Sequence, residues 1–424
     1  MTSPPPHPPT IVLVDVNAMF AACAVAEDPS LRGKPLIVAG DPEDRRSIVL
    51  TASYEARPLG VHTAMPLREA LRLAPKAVIV PPDHALYRRY HKRLMETLRG
   101  FTPLVEEVSI DEAYLDVAGT PGLEEGVESL ARHIRDKVRD ACSLTVSLGV
   151  SSTRFLAKMA ANLAKDRPGG IVVLGPEDAS RVLGPLPIGA FHGIGKRTEE
   201  RLVARGVSRI SDLERVGEAG LRTFLGEVGP AFLADLHGRG SARVAAEATD
   251  AKSISHEMTF ARDVVRREDL LPILLALSDQ VAWRLRAERM AARTVGMRIR
   301  HRTFTDHSRQ MSVPKGVFLT EELYGAAAGL LDRMPEAAFP CRLASVAASK
   351  LTPIPSERWA LFPSSPSRGE ALARTVDRLR RRFGQAAVMP AGVLGSPGED
   401  LYDRALHGSS FRTRGLEKSG DGRD

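Results

Sequence analysis

The sequence predicts an α+β multidomain protein, and three observations carry that expectation. Apolar runs of strand length alternate with longer stretches of helical period over the first half of the chain. The segment Gly175–Gly240 breaks this alternation with short helical pieces punctuated by glycine and no convincing strand. Finally, 424 residues at roughly 150 per domain leave room for about three domains, each with a real core. Hydrophobic residues at 43% and charged residues at 26% sit near globular averages, which excludes a disordered or fibrous chain.

Taken in order, Ile11–Val16 is a β-branched and aliphatic run, the pattern of a strand covered on both faces, yet it carries an acid at Asp15. Strand-like runs at Leu36–Ala39 and Ile48–Ala52 flank the charged turn Asp41–Arg46, with helical stretches following to Leu73. A helical period spans Tyr87–Leu98, strands are expected within Leu104–Val117 and over Leu144–Val150, and a helix from about Ser151 to Lys165 is stopped by Asp166-Arg167-Pro168-Gly169-Gly170. Ser241–Lys252 reads as a linker, and a third module of strands and two helices runs to about Leu351. Beyond it come a Pro/Ser-rich stretch to Arg368, an amphipathic basic helix over Glu370–Phe383, and a frayed end from Gly408.

Lys and Arg outnumber Asp and Glu by 59 to 52, a net charge of +7 that favours polyanionic partners, nucleic acid first among them. Cys23, Cys142 and Cys341 are too far apart for a zinc or redox motif and suit a reducing compartment. The Pro-rich start lacks Lys and Arg, and the apolar run after it is broken at Asp15. Neither a signal peptide nor a membrane span is expected, and a cytoplasmic location follows.

Asp15 and the adjacent pair Asp111-Glu112 are the informative acids, because burying a carboxylate is costly unless a cation or donors compensate it. Neighbours on a regular strand point to opposite faces, so Asp111 and Glu112 converge on one ion only at a bend. If they do, hard oxygen ligands meet in the way Mg²⁺ prefers to be held.

The segments Val14-Asp15-Val16-Asn17-Ala18-Met19-Phe20, Thr51-Ala52-Ser53-Tyr54-Glu55-Ala56-Arg57-Pro58-Leu59-Gly60 and Ser109-Ile110-Asp111-Glu112-Ala113-Tyr114-Leu115-Asp116 resemble, in order and spacing, the Y-family translesion DNA polymerases, most of all the bacterial DinB (DNA polymerase IV) branch. The resemblance continues through Gly149-Val150-Ser151-Ser152, Ala157-Lys158-Met159-Ala160, Lys165, Gly193-Ile194-Gly195-Lys196 and Lys252-Ser253-Ile254-Ser255. It implies a right-hand architecture: palm over 11–25 and 86–173, small fingers over 26–85, a helical thumb with helix-hairpin-helix over 174–241, a linker over 242–252, an α+β little finger over 253–352 and a tail over 353–424, after a disordered stretch over 1–10.

The same resemblance implies Asp15, Asp111 and Glu112 as catalytic metal ligands with the Val16 carbonyl beside them, two Mg²⁺ ions for which Mn²⁺ can substitute, and Phe20 as the steric gate against ribose. Thr51, Tyr54, Arg57 and Lys165 would contact the incoming triphosphate, work suited to hydroxyl donors and a guanidinium fork, and Ile48 and Leu50 would roof the nascent base pair. Asn17 stands where a second Asp is common, and Ala18 and Met19 replace the aromatic pair that usually precedes the gate.

The expected partners are primer-template DNA, dNTP and a sliding clamp, on a monomer. Gly193, Gly195 and Lys196 would hold a DNA phosphate, and Arg298, Arg300 and Arg302 alternate with Met297, Ile299 and His301 so that three guanidiniums line one strand face. Trp359, Leu361 and Phe362 are the apolar anchors of a clamp-docking peptide in which Arg358 replaces the usual Gln. Low-fidelity, template-directed deoxynucleotide transfer without proofreading is the activity implied. A non-catalytic adaptor of the same family is the second reading, and the presence of Asp15, Asp111, Glu112, Arg57 and Lys165 weighs against it.

Overall fold

Strand β1 (Ile11–Val16) is buried along its whole length and runs through the middle of a five-stranded sheet. It pairs antiparallel with β6 (Glu112–Asp116) on one side and β7 (Val146–Ser151) on the other. The outer strands are β5 (Val105–Glu107) and β8 (Ile171–Val173), giving the order β5–β6–β1–β7–β8. This is a computed structural model, and it describes residues 10–167, 169–246, 251–354 and 367–402. Trp359, Leu361 and Phe362, the first nine residues and the end of the chain from residue 403 lie outside the described residues.

The alternation along β1 explains why both of its faces carry aliphatic residues. Val12, Val14 and Val16 share a core with α3 (His84–Arg99) and α4 (Val127–Cys142), while Ile11 and Leu13 pack on Ala157 and Ala161 of α5 (Arg154–Ala164). α5 lies so close to β7 that a Cβ on Gly149 would stand 2.0 Å from the Ala157 carbonyl oxygen, so glycine is required there. Helix α1 (Met19–Glu27) leaves the end of β1 through Ala18 in the left-handed region.

A separate three-stranded sheet of order β3–β2–β4 comprises β2 (Leu36–Ala39), β3 (Val49–Ala52) and β4 (Val78–Val80), with α2 (Leu67–Leu73) between β3 and β4. The strand expected from Ile48 begins one residue later, because Ile48 is exposed and makes only an isolated bridge to Pro66. The glycine-punctuated segment is helical: α6 (Pro176–Leu183), α7 (Lys196–Val203), α8 (Asp212–Leu225, broken at Gly217) and α9 (Gly229–Leu236) surround Phe191, Leu202, Ile210 and Leu221.

All of these elements belong to one of two compact units, Met1–Pro42 with Ser47–Ala248; the other is Glu43–Arg46 with Thr249–Asp424. In the second unit β9 (Ser253–Val264), β10 (Met290–His301), β11 (Asp306–Val317) and β12 (Cys341–Pro353) form an antiparallel sheet of order β11–β10–β12–β9, packed on α10 (Leu271–Ala287) and α11 (Thr320–Leu331). Here the reading of everything after residue 352 as a tail needs correcting. The basic helix is α12 (Arg368–Phe383), which buries Asp377 and Arg380, and Val393, Leu401 and Tyr402 beyond it enter the same core as α10 and α11. Among the described residues no helix is long and apolar enough to cross a membrane.

Candidate active site

Asp15 and Glu112 are directly opposite each other on β1 and β6, at the end of the sheet where β1 gives way to α1. Asp111 precedes β6 in the bend that closes the β5–β6 hairpin. The Val108 and Ser109 amides donate to the Glu112 carbonyl at 3.0 and 3.2 Å, and the Val16 amide donates to the Asp111 carbonyl at 2.9 Å. The bend that two adjacent carboxylates need is therefore present. Asp15 is only 5% exposed, so its charge must be met inside the protein.

It is met by two lysines of α5 and its C-terminal boundary. Lys158 Nζ donates to Asp15 Oδ2 at 3.1 Å and, in a shorter contact, to Glu112 Oε2; Lys165 Nζ lies 3.0 Å from Asp15 Oδ1. Burial pulls the Lys158 ammonium down, but its hydrogen bond to Glu112 and the charges of Asp15 and Glu112 outweigh it and hold its pKa above the usual lysine value. Without an ion, the three acids are held by different partners. The structure joins Asp15 and Glu112 through Lys158, the Asp111 carboxylate accepts from the Ser109 hydroxyl, and among the described residues no three acids or other ligands stand grouped as a metal site. Lys158 lies in the motif Ala157–Ala160, and the sequence signal for its role is an ammonium on a helix that packs against an acid-bearing strand.

The donor set nonetheless fits a divalent cation in kind. Two facing carboxylates and a third one residue away are hard oxygen ligands, and the positive charge now between two of them marks where a cation is favoured.

Phe20, in the first turn of α1, stacks on Tyr87 of α3 with ring centroids 4.1 Å apart and planes 12° from parallel, while His84 meets its edge at 6.3 Å. Ala18 and Met19 leave no aromatic ring just before Phe20, and α3 supplies one from elsewhere in the chain. From the segment that follows β3, the Tyr54 hydroxyl donates to Asn17 Oδ1 at 3.2 Å and the Arg57 guanidinium lies 4.3 Å from the centre of the Tyr54 ring. Arg57 Nε also donates to the Ala52 carbonyl at 3.2 Å, and Ser147 Oγ donates to Asn17 Oδ1 at 2.8 Å. Asn17 thus ties the five-stranded sheet to the Tyr54–Arg57 pair. Thr51 Oγ1 donates to the Leu50 carbonyl at 2.9 Å; Leu50 is half-buried and Ile48 is 45% exposed.

In the helical module Gly193 has φ +98° and Gly195 opens α7 with no side-chain cap, leaving the exposed Lys196 as its first residue. The arginine stripe of the second unit differs from its expectation. Met297 and Ile299 are buried as the period requires, but Arg298 pairs with Glu257, and Arg300 makes two bonds to Asp306 at 2.7 and 2.9 Å. Arg302 lies past the end of β10, after a bulge at Arg300/His301. Acids on the adjacent strand β11 and on β9, one strand beyond β12, therefore neutralise much of a face that looks purely cationic along β10 alone.

Residues 14–162 match the family model of the impB/mucB/samB family, and residues 251–361 match the model of that family's C-terminal domain. DNA polymerase IV of Alkaliphilus oremlandii is 34% identical over 91% of this chain and 99% of its own length; that of Moorella thermoacetica is 36% identical over 92% and 97%. Among solved structures, a Y-family DNA polymerase chimera of Dbh and Dpo4 covers 80% of this chain and 98% of its own with a TM-score of 0.70 at 25% identity. An insertion ternary complex of Dbh DNA polymerase covers the same shares with a TM-score of 0.54 at 26% identity. The adaptor reading finds no support among these relatives. Whole-length likeness of this extent has one meaning: the chain belongs to the impB/mucB/samB family, as a Y-family translesion DNA polymerase of the DNA polymerase IV type.

Proposed function

We propose that the chain extends a primer 3′ end with deoxynucleotides at the open end of the five-stranded sheet, with Asp15, Asp111 and Glu112 as the ligand set for Mg²⁺, two ions per site and Mn²⁺ able to substitute. The observation that carries this reading is the buried, facing pair Asp15–Glu112, with two lysines as its counter-charge. Family membership brings a divalent-metal requirement with it, and a bound divalent ion supplies Lewis-acid stabilisation of charge developing on the transferring phosphoryl oxygens.

The remaining work falls to the protein's own groups. Tyr54, Arg57, Thr51 and Lys165 present hydroxyl and cationic donors to the triphosphate, and the cation–π contact holds the guanidinium in place before the nucleotide arrives. Phe20, backed by Tyr87, sets a rigid wall against a ribose 2′ hydroxyl. Ile48 and Leu50 lie over the nascent base pair. Gly193, Gly195 and Lys196, with Arg298, Arg300 and Arg302, track the DNA backbone without reading bases. Primer-template DNA and dNTP are the substrates, a sliding clamp is the partner met by Trp359, Leu361 and Phe362, and the enzyme works as a monomer in the cytoplasm. The palm, fingers, thumb and little finger follow the boundaries given above.

The test is single-nucleotide extension of a primed, undamaged template with Mg²⁺, using deoxy- and ribonucleotides side by side for wild type and Phe20→Ala. Wild type adds deoxynucleotides only, and Phe20→Ala adds both. No extension by wild type with Mg²⁺ or Mn²⁺ overturns the reading.

A further inference from the structure

We infer that His91 is a positioning residue for nucleotidyl transfer, a clamp from α3 on the hairpin that carries Asp111 and Glu112; the inference rests on the polymerase reading above. The two nitrogens of its half-buried ring face two acceptors on that hairpin. Nδ1 lies 2.9 Å from the carbonyl oxygen of Ile110, the residue before Asp111, and Nε2 lies 3.2 Å from Glu107 Oε2 at the end of β5. Both contacts are hydrogen bonds when both ring nitrogens carry protons. Arg99, two turns further along α3, donates to the other oxygen of Glu107, so the carboxylate that anchors the ring is itself held from two sides.

Other ties of the bend include the Val108 and Ser109 amides to Glu112, the Ser109 hydroxyl to Asp111, the Asp111 carbonyl to β1, and Lys158 of α5 to the Glu112 carboxylate. His91 adds a tie from α3, to the backbone just before Asp111. That helix also holds the gate, because Tyr87 lies four residues before His91 and so on the same face, and it stacks on Phe20. One face of α3 thereby sets the spacing between the ring expected to discriminate the sugar and the carboxylates expected to act on the phosphate. A shift of about 1 Å in such groups costs roughly 10²-fold in rate.

The experiment compares wild type, His91→Ala and His91→Gln in single-nucleotide insertion, and measures amide hydrogen exchange over residues 105–116 without nucleotide or metal. His91→Ala is expected to lower kcat by about 10- to 100-fold with the dNTP KM within about twofold of wild type. His91→Ala is also expected to speed exchange at Val108 and Ser109. His91→Gln, whose amide can still donate to the Ile110 carbonyl, is expected to recover most of the kcat and the protection. Unchanged kcat and exchange in His91→Ala overturn the inference, as does an equal kcat loss in both variants accompanied by a matching fall in melting temperature. Absence of extension by wild type would instead defeat the polymerase reading, and the exchange measurement would still decide the clamp.

Discussion

Each of the two units buries carboxylates, and they compensate them differently. In the first, Asp15 and Glu112 share the ammonium of Lys158, with Lys165 on the other side of Asp15. In the second, Asp279 on α10 accepts from Arg380 Nη2 and the Tyr402 hydroxyl, both at 2.6 Å, and from Thr320 Oγ1 at 2.9 Å, while Arg286 grips Asp377 with two bonds of 2.8 Å. A lysine is a compact point charge on a flexible stem and can withdraw; an arginine fork is directional and stays. The first arrangement suits a site that exchanges its counter-charge, and the second suits a staple that fixes the C-terminal segment onto the core.

The widest gap between the two clusters is expected in activity. Glu112→Gln is expected to lower the single-turnover insertion rate by roughly 10³-fold or more, because it replaces a carboxylate of the proposed ligand set with a neutral amide. Its melting temperature should stay within about 4 °C of wild type, since Asp15 retains both lysines. A variant that inserts nucleotides normally would break the assignment of exchange to this cluster.

Asp279→Asn should do the reverse. It strands the Arg380 guanidinium, which is almost wholly buried, and loss of one partner of a buried pair costs about 3–5 kcal/mol by denaturant titration. The insertion rate of the folded fraction should not change. If stability is unaltered, the second cluster is no staple.

Lys158→Met sharpens the same contrast from the cation side. In chelator the two carboxylates lose their shared counter-charge and the protein should melt lower, whereas added Mn²⁺ should restore more than it adds to wild type. The midpoint of a Mn²⁺ titration followed by melting temperature should fall roughly tenfold, because the metal no longer competes with an ammonium. Equal midpoints would mean that Lys158 and the metal do not share a place.

These clusters also mark how far the sequence was legible. The run Ile11–Val16 is one strand in the structure as in the reading, because a continuous aliphatic stretch has one comfortable environment, and the acid inside it demanded a partner. The same argument applied to α10, where Asp279 interrupts Leu271–Val281, would have found the second cluster. Its partners Arg380 and Tyr402 are more than one hundred residues away, and nothing local in an arginine-rich helix says which guanidinium turns inward. Strand register and order are equally invisible along one strand: Asp306 lies opposite Arg300 on β11, while Glu257 reaches Arg298 from β9 across β12.

Glu107 gives a third kind of compensation and the smallest expected effect. Hydrogen bonding from His91, with further help from the Arg99 charge, outweighs partial burial and holds its carboxyl at about 2, against 4.5 for the free group. Because the folded value is depressed, the folded state binds this proton less readily than the unfolded chain does. The associated stability is therefore complete above about pH 4.5 and is lost as the pH falls from there towards 2. With the side chain 29% exposed, solvent screening leaves about 1 kcal/mol of it. Glu107→Gln should lower stability at neutral pH by that amount and flatten the acid limb of the stability profile over that window. An unchanged acid limb would show that this carboxylate is solvated like a surface group, and that only the Asp15 and Asp279 clusters bury charge at a cost.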